Sequence, residues 1–231
     1  MGMGRLIVVD GTDGSGKATQ VALLAERLAR EGRRVETITF PRYEENVFGE
    51  LIGECLKGKR GDFLSHDPRV ASTLYAADRF ETKPLLEEWL REGAIILADR
   101  YVSSNQIHQA GKIEGPTART YFLEWLDTVE HGIFGMPRPD LILFLDVPIE
   151  VSMQLTREKH ARESKTYLAE GELDRAEQDR LHQEQALQSA RAMVAKEANW
   201  RTIQCVEEGS LRAREDIHEE VYHAVVAELA R

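Results

Sequence analysis

Hydrophobic positions along the chain fall into two kinds of run. Leu6-Ile7-Val8-Val9 is apolar at every position and ends in Asp10 and a glycine-rich turn. A short run without polar alternation marks a strand buried on both faces, as in a parallel sheet. Comparable runs predict strands at Arg34–Phe40, closed by Pro41, at Ala94–Ala98, ending in Asp99-Arg100, at Leu141–Val147, left through Pro148, and at Thr202–Val206. Between them the apolar period changes to that of a helix. From Lys17 to Arg30 the stripe is Val21, Leu24 and Leu28, and Gly32 is a stop signal. Further helices are predicted at Val47–Leu56, Pro68–Glu81, Lys83–Arg91, Thr117–Glu130, Pro148–Thr156, Asp174–Ala198 and Leu211–Ala230.

Strands alternating with helices specify an α/β fold: a five-stranded parallel sheet with right-handed crossovers and helices on both faces. The sequence shows no internal repeat, low-complexity tract or linker, so residues 1–231 read as a single domain. Only Arg157–Gly171 lacks a clear buried stripe, and it reads as a mobile lid.

Composition narrows the function. With 42% hydrophobic residues the chain can fill a real core, which excludes a disordered protein. Its formal net charge of −10 neither draws nucleic acid nor favours anionic membranes, so neither is an expected partner. An anionic substrate must be held by a local group of Arg and Lys. The two cysteines, Cys55 and Cys205, fit neither a disulfide framework nor a zinc site and read as buried free thiols. No run approaches the length of a membrane span, and the N-terminus lacks a signal-peptide core; the expected location is the cytoplasm.

The turn after the first strand carries chemistry. Gly11-Thr12-Asp13-Gly14-Ser15-Gly16-Lys17 fits the G-x-x-x-x-G-K pattern of a P-loop, between a strand and a helix as that motif requires. Its glycines let successive N–H groups face phosphate oxygens, the helix adds its dipole, and Lys17 reaches the β- and γ-phosphates. The cradle runs on through Ala18 and Thr19, and Ala18 stands where a Ser or Thr normally offers a hydroxyl to Mg²⁺. Thr19 is turned about 100° away along the helix. Asp13 or Asp99 can instead orient the waters of a bound Mg²⁺.

The second substrate needs other residues. Asp99-Arg100-Tyr101 follows the third strand at the sheet edge where ligands bind, and an Arg there can grip a phosphate. Tyr75 and Arg79 are four residues apart on one helix face, a natural seat for a nucleobase. The lid adds Arg157, Lys159 and Arg162. Taken singly, each has a plainer explanation: Arg79 pairs with Asp78 or Glu81, Tyr75 packs in the core, and the lid cations are a solvated surface.

Their joint order resembles thymidylate kinases. The segments are Val9–Gln20 around the P-loop, Phe40-Pro41-Arg42-Tyr43, Leu74–Phe80, Asp99-Arg100-Tyr101-Val102-Ser103-Ser104-Asn105, and Pro139–Pro148. The resemblance implies a P-loop NTPase fold with a lid and transfer of the ATP γ-phosphoryl to dTMP, giving dTDP and ADP, with Mg²⁺ as cofactor. It implies that Asp13 meets the sugar 3′-hydroxyl and helps order Mg²⁺, that Tyr75 stacks on the base and Arg79 donates to a base carbonyl, and that Arg100 grips the acceptor phosphate. Phe40, Pro41 and Tyr43 would wall the acceptor pocket, while Ser104, Asn105 and Gln109 would line base and sugar. Lys17, Arg100, Arg157 and Arg162 would stabilise the transferring phosphoryl group. The resemblance also implies a homodimer. His108 stands where many members carry a Tyr against the sugar 2′ position, which keeps a kinase for dUMP or UMP as an alternative acceptor reading. Ala18 keeps a non-catalytic nucleotide-binding module as a second one.

Overall fold

The computed structural model describes residues 4–162 and 180–231. Five parallel strands, β1 (Arg5–Asp10), β2 (Val35–Thr39), β3 (Ile95–Asp99), β4 (Leu141–Asp146) and β5 (Trp200–Gln204), lie in the order β2-β3-β1-β4-β5. Their unbroken apolar runs divide by pleat between two cores. Leu6, Val8, Ile96, Ala98, Ile142 and Phe144 face one side. Ile7, Val9, Ile95, Leu97, Leu141, Leu143 and Leu145 face the other.

Two helices cover the second face: α1 (Lys17–Arg30), through Val21, Leu24 and Leu28, and the last helix, α8 (Arg214–Leu229), through Ile217, Val221 and Val225. On the first face lie α3 (Pro68–Arg91), α4 (Val102–Gly111), α5 (Pro116–Asp127) and α7 (Arg180–Lys196). The α2 helix (Val47–Leu56) and a short 3-10 turn at Phe63–Ser65 build a third cluster with Ile52, Leu56 and Phe63 against α3. The α6 helix (Ile149–Arg162) follows β4. A small hairpin, β6 (Val206–Glu207) and β7 (Ser210–Leu211), precedes α8.

Several expected boundaries are corrected. The predicted helices Pro68–Glu81 and Lys83–Arg91 are one helix, with Pro84 inside it. Proline removes one backbone donor, but Ala76 and Leu86 on either side are both fully buried, so core packing carries the helix through the local break. The α4 helix was not legible, because its buried face is largely polar: Ser103, Asn105 and Gln109 are buried along with Val102 and Ile107. Predicted Thr117–Glu130 ends at Asp127 and continues as a wide π turn over Thr128–Ile133, which carries Glu130 to complete burial. The helix expected to stop at Thr156 runs to Arg162, so the first six positions of the expected lid, 157–162, continue α6. The rest of that lid, 163–171, lies outside the described residues, as does the start of the helix predicted at Asp174–Ala198. Cys55 and Cys205 are buried and free, and burial pushes the Cys205 thiol up to about 12. Among the described residues no helix is long and apolar enough to cross a membrane.

The β2–α2 connection is fixed from two sides. Asn46 caps α2 by accepting from the Gly49 N–H at 2.6 Å, and its Nδ2 donates to Asp78 Oδ1 at 2.8 Å. The Arg42 N–H donates to the same Asp78 carboxylate at 3.2 Å. Gly49 packs so closely that a Cβ there would lie 2.0 Å from the Arg42 carbonyl oxygen. Gly49→Ala is therefore expected to push the Pro41–Tyr43 loop off α3. The expected loss is about 1–3 kcal/mol of unfolding free energy, read by urea titration.

Candidate active site

The parallel register aligns Val9 of β1 with Asp99 of β3, so both strands release their chains at one sheet edge. There β1 turns into the cradle. Gly11 and Gly14 have φ of 155° and 78°, values open to glycine and strained for other residues. The N-cap of α1, Gly16, offers no side chain, so the first N–H groups of the helix remain available to an anion. The hydroxyls of Thr12 and Ser15 are buried there with no hydrogen-bond partner among the described residues. Lys17 folds back over the loop and donates to the carbonyls of Gly11 at 3.1 Å and Thr12 at 2.9 Å. Burial pushes its ammonium below the ordinary value, and Arg100 adds to that shift. Ala18 and Thr19 are exposed, so Thr19 does not take the missing hydroxyl's place inside the loop.

Opposite the cradle stands Arg100, the residue after β3, with φ 70°. A left-handed backbone on a non-glycine residue costs about 1–3 kcal/mol and persists where its surroundings enforce it, commonly at functional sites. Here the Arg100 N–H extends the ladder to the Val9 carbonyl at 3.1 Å while the side chain turns toward the P-loop. Its guanidinium pairs with Asp13, contacts His108 Nε2 at 3.1 Å and lies 3.8 Å from Asp10 Oδ1. Burial opposes its charge, but Asp13, Asp10 and Asp99 outweigh that effect and hold the group firmly cationic. In return Arg100, His108 and Lys17 hold the Asp13 carboxyl well below the usual range despite its burial. Asp10 is an anchor: it accepts from the Gly11 N–H at 2.9 Å and from the hydroxyls of Ser103 and Ser104 at 2.5 and 2.9 Å. One carboxylate thus fastens the P-loop to the start of α4.

Lys17, Asp13, Arg100, Ser104 and His108 are therefore brought together. Asp99, buried at the end of β3, contributes its charge to both Lys17 and Arg100. Tyr43 is half-buried and close enough to act on the charge of Arg100. Pro41 is half-buried, but Phe40 is only 2% exposed and packs on Tyr101 at 5.8 Å between ring centroids. It supports the wall from within the core. Tyr75 is half-buried and packs beside Phe63 at 6.1 Å between ring centroids.

Arg79 pairs with neither Asp78 nor Glu81. Its Nε donates to Glu130 Oε2 at 3.1 Å, a second guanidinium nitrogen meets the other carboxylate oxygen, and a third reaches the Tyr101 carbonyl at 3.4 Å. At 2% and 0% exposure this is a buried fork-to-fork ion pair. Asn105 joins it, donating to Glu130 Oε1 at 3.4 Å and to the Ser72 carbonyl at 3.3 Å. Buried polar atoms on the flanking helices, Ser72 Oγ and Gln109 Oε1, have no hydrogen-bond partner among the described residues, as befits walls that meet a polar ligand. Arg157 is exposed on α6, and the side chains of Lys159 and Arg162 lie outside the described residues.

Sequence reasoning did not pick out Asp10, Glu130, His182 or Gln183. Glu130 reads as one more surface acid on an amphipathic helix until the π turn carries it inward. Gln183 lies 170 residues from Asp13, its partner, so no local pattern links them.

A P-loop at the end of β1, an arginine at the end of β3 turned toward it and a sheet ordered 2-3-1-4-5 define a P-loop nucleotide kinase. Residues 9–221 match the family model described as thymidylate kinase. The chain is 32% identical to thymidylate kinase of Mycobacterium tuberculosis over 158 residues, 68% of this chain and 73% of that one. It is 33% identical to the human thymidylate kinase over 146 residues, covering 63% and 62% of the two chains. A probable thymidylate kinase of Thermococcus onnurineus is 36% identical over 155 residues, 64% and 69% of the chains. In fold, it is similar to the solved thymidylate kinase of Candida albicans, with a TM-score of 0.73 and 22% identity over 97% of this chain and 92% of that one. The chain belongs to the thymidylate kinase family.

The His108 ring gives a pH prediction. Burial, Arg100 and His182 press its pKa well below the ordinary 6.5. The folded state therefore keeps it neutral while the unfolded chain protonates, and folding stability drops as pH falls below about 6.5. Asp13 acts only in a lower window, below its unfolded value near 3.8. Thermal unfolding between pH 7.5 and 5 should lose less stability in His108→Gln than in the wild type.

Proposed function

We propose that this protein transfers the γ-phosphoryl group of ATP to dTMP, giving ADP and dTDP. The observation that carries the reading is the Asp13–Arg100 pair, which joins the donor cradle to the acceptor arginine across one cleft. The nucleophile is a dTMP phosphate oxygen, already anionic, so no general base is needed. Its attack forms the new P–O bond as the bond from the γ-phosphorus to the ADP oxygen breaks. Such a reaction asks the protein for alignment and charge stabilisation. Backbone N–H groups of Gly11–Ala18 and Lys17 hold the donor phosphates. Arg100 holds the acceptor in line with them. Tyr75, Asn105 and Gln109 receive base and sugar, with the Arg79–Glu130 pair as the floor beneath. Arg157 and Arg162, on the helix that leads into the lid, are placed by resemblance to add positive charge when substrates are enclosed.

Mg²⁺ fits this site in one form. Among the described residues no group of three His, Cys, Asp or Glu side chains can cage a metal. The donors present are oxygens: the buried Ser15 hydroxyl in the cradle and the carboxylates of Asp13 and Asp99 at its edge. That set suits a hard cation that arrives with the triphosphate and keeps its waters. When bound, Mg²⁺ offsets negative charge on the transferring phosphates. Ser15 would face it directly, and Asp13 and Asp99 would orient its waters, which tolerates Ala18.

A homodimer is part of the same reading. Val47 on α2, Phe80 on α3 and Ile133 on the π turn are 69%, 47% and 70% exposed. The Phe48 N–H meets Glu81 at 3.0 Å and Phe80 packs on Phe134 at 4.9 Å between ring centroids, so α2 and the end of the π turn both adjoin α3 near Phe80. An apolar face of this kind is characteristic of a self-complementary interface.

Lys17→Ala and Arg100→Ala are each expected to cut turnover by roughly a hundredfold or more, the scale of losing one stabilising donor. A coupled ADP-release assay across dTMP, dUMP, UMP and dCMP measures this and ranks the acceptors, with dTMP expected first. ATP binding without acceptor-dependent ADP release would instead indicate a binding module. For the interface, Phe80→Asp combined with Ile133→Asp should convert a dimer to a monomer in analytical ultracentrifugation.

A further inference from the structure

Two of the partners that hold Arg100, Asp13 and His108, each meet one of two consecutive residues of α7. Gln183 grips Asp13 at two points: its Nε2 donates to Asp13 Oδ2 at 2.8 Å, and its Oε1 accepts from the Asp13 N–H at 3.3 Å. His182 lies face to face with His108, with ring centroids 5.3 Å apart and planes 26° apart. A guanidinium only donates, so His108 Nε2 must present its lone pair to Arg100, and the His108 proton sits on Nδ1. Successive helix positions diverge by about 100°, so His182 and Gln183 reach different partners of Arg100. Both are buried, at 8% and 2% exposure, although α7 begins only two residues before His182. The helix is pinned further along, where Ser189 Oγ donates to the Gln106 carbonyl of α4 at 2.8 Å.

We propose that His182 and Gln183 are positioning residues for the acceptor phosphate: by fixing His108 and Asp13 they set the plane of the Arg100 guanidinium. This rests on the reading of Arg100 as the group that grips that phosphate. A free arginine side chain carries substantial rotamer entropy, which a phosphate would otherwise have to overcome on binding. Five guanidinium donors exceed what Asp13, His108 and Ser104 take up, so a phosphate can be received without dismantling the clamp. The helix that follows the expected lid thus forms the third wall of the acceptor site, beside the P-loop and α4.

The test is steady-state kinetics with ATP and dTMP varied separately, alongside thermal unfolding, for Gln183→Leu, Gln183→Glu, His182→Ala, His182→Phe and Arg100→Lys. Gln183→Leu is expected to raise KM for dTMP about tenfold or more, the scale of a hydrogen bond to a charged group, and to leave KM for ATP within about twofold. His182→Ala should raise KM for dTMP about fivefold, and His182→Phe, which keeps the ring contact, should restore most of it. If Gln183→Leu does not fold, Gln183→Glu, which sets a second carboxylate against Asp13, must show the same split between the two KM values. The proposal is overturned if KM for dTMP stays within about twofold of wild type in the Gln183 variants while Arg100→Lys raises it. Equal rises in both KM values that track lost thermal stability overturn it as well, as does a His182→Phe variant no better than His182→Ala. An Arg100→Lys enzyme with unchanged KM for dTMP would instead sink the reading of Arg100 on which the proposal rests.

Discussion

The site depends on a half-buried contact between opposite charges, the Asp13 carboxylate and the Arg100 guanidinium. Each belongs to a backbone turn that would be unfavourable alone: a glycine-rich loop that directs its N–H groups inward, and a left-handed residue at a strand end. Each charge is favoured first by the other, with Asp10 and Asp99 adding to the effect on Arg100 and Lys17 to that on Asp13. Burial works against both, and each is kept ionised by the neighbour across the cleft. The parallel register that sets Val9 beside Asp99 delivers the two turns to the same place, so the sheet serves chiefly to fix that distance.

Around this contact the polar groups form two shells with different tasks. Asp10, Ser103 and Ser104 tie the P-loop to α4 beneath the ion pair. Glu130, Asn105 and Asp78 do comparable work one layer away, seating Arg79 and the Pro41–Tyr43 loop. Almost all of these tethers join segments distant in sequence. They resist relative movement of the elements that present substrate-facing side chains, which is the requirement for a reaction governed by alignment.

Much of this was legible in the chain. Unbroken apolar runs such as Leu6–Val9 and Leu141–Val147 gave strands buried on both faces, because each run supplies alternate residues to two separate cores. The P-loop was legible since its glycines, lysine and following helix are local. What escaped did so for physical reasons. The α4 helix turns a polar face inward and so has no apolar stripe to detect. Pro84 resembles a boundary until the core on both sides of it is seen. Glu130, the partner of Arg79, is 51 residues away, so no local pattern links the two. Gln183 and His182 reach the site by tertiary packing alone.

The wide turn at Thr128–Ile133 has a consequence for how this chain can vary in length. Such a turn arises where a regular helix accommodates an additional residue, and removing one would restore normal winding. The side chains of the turn that follow the deletion would then swing by about 100°. Glu130 would leave its buried place, stranding an arginine in the interior with no counterion. Loops elsewhere on the surface can lengthen or shorten at little cost, but this stretch has its residue count locked by electrostatics.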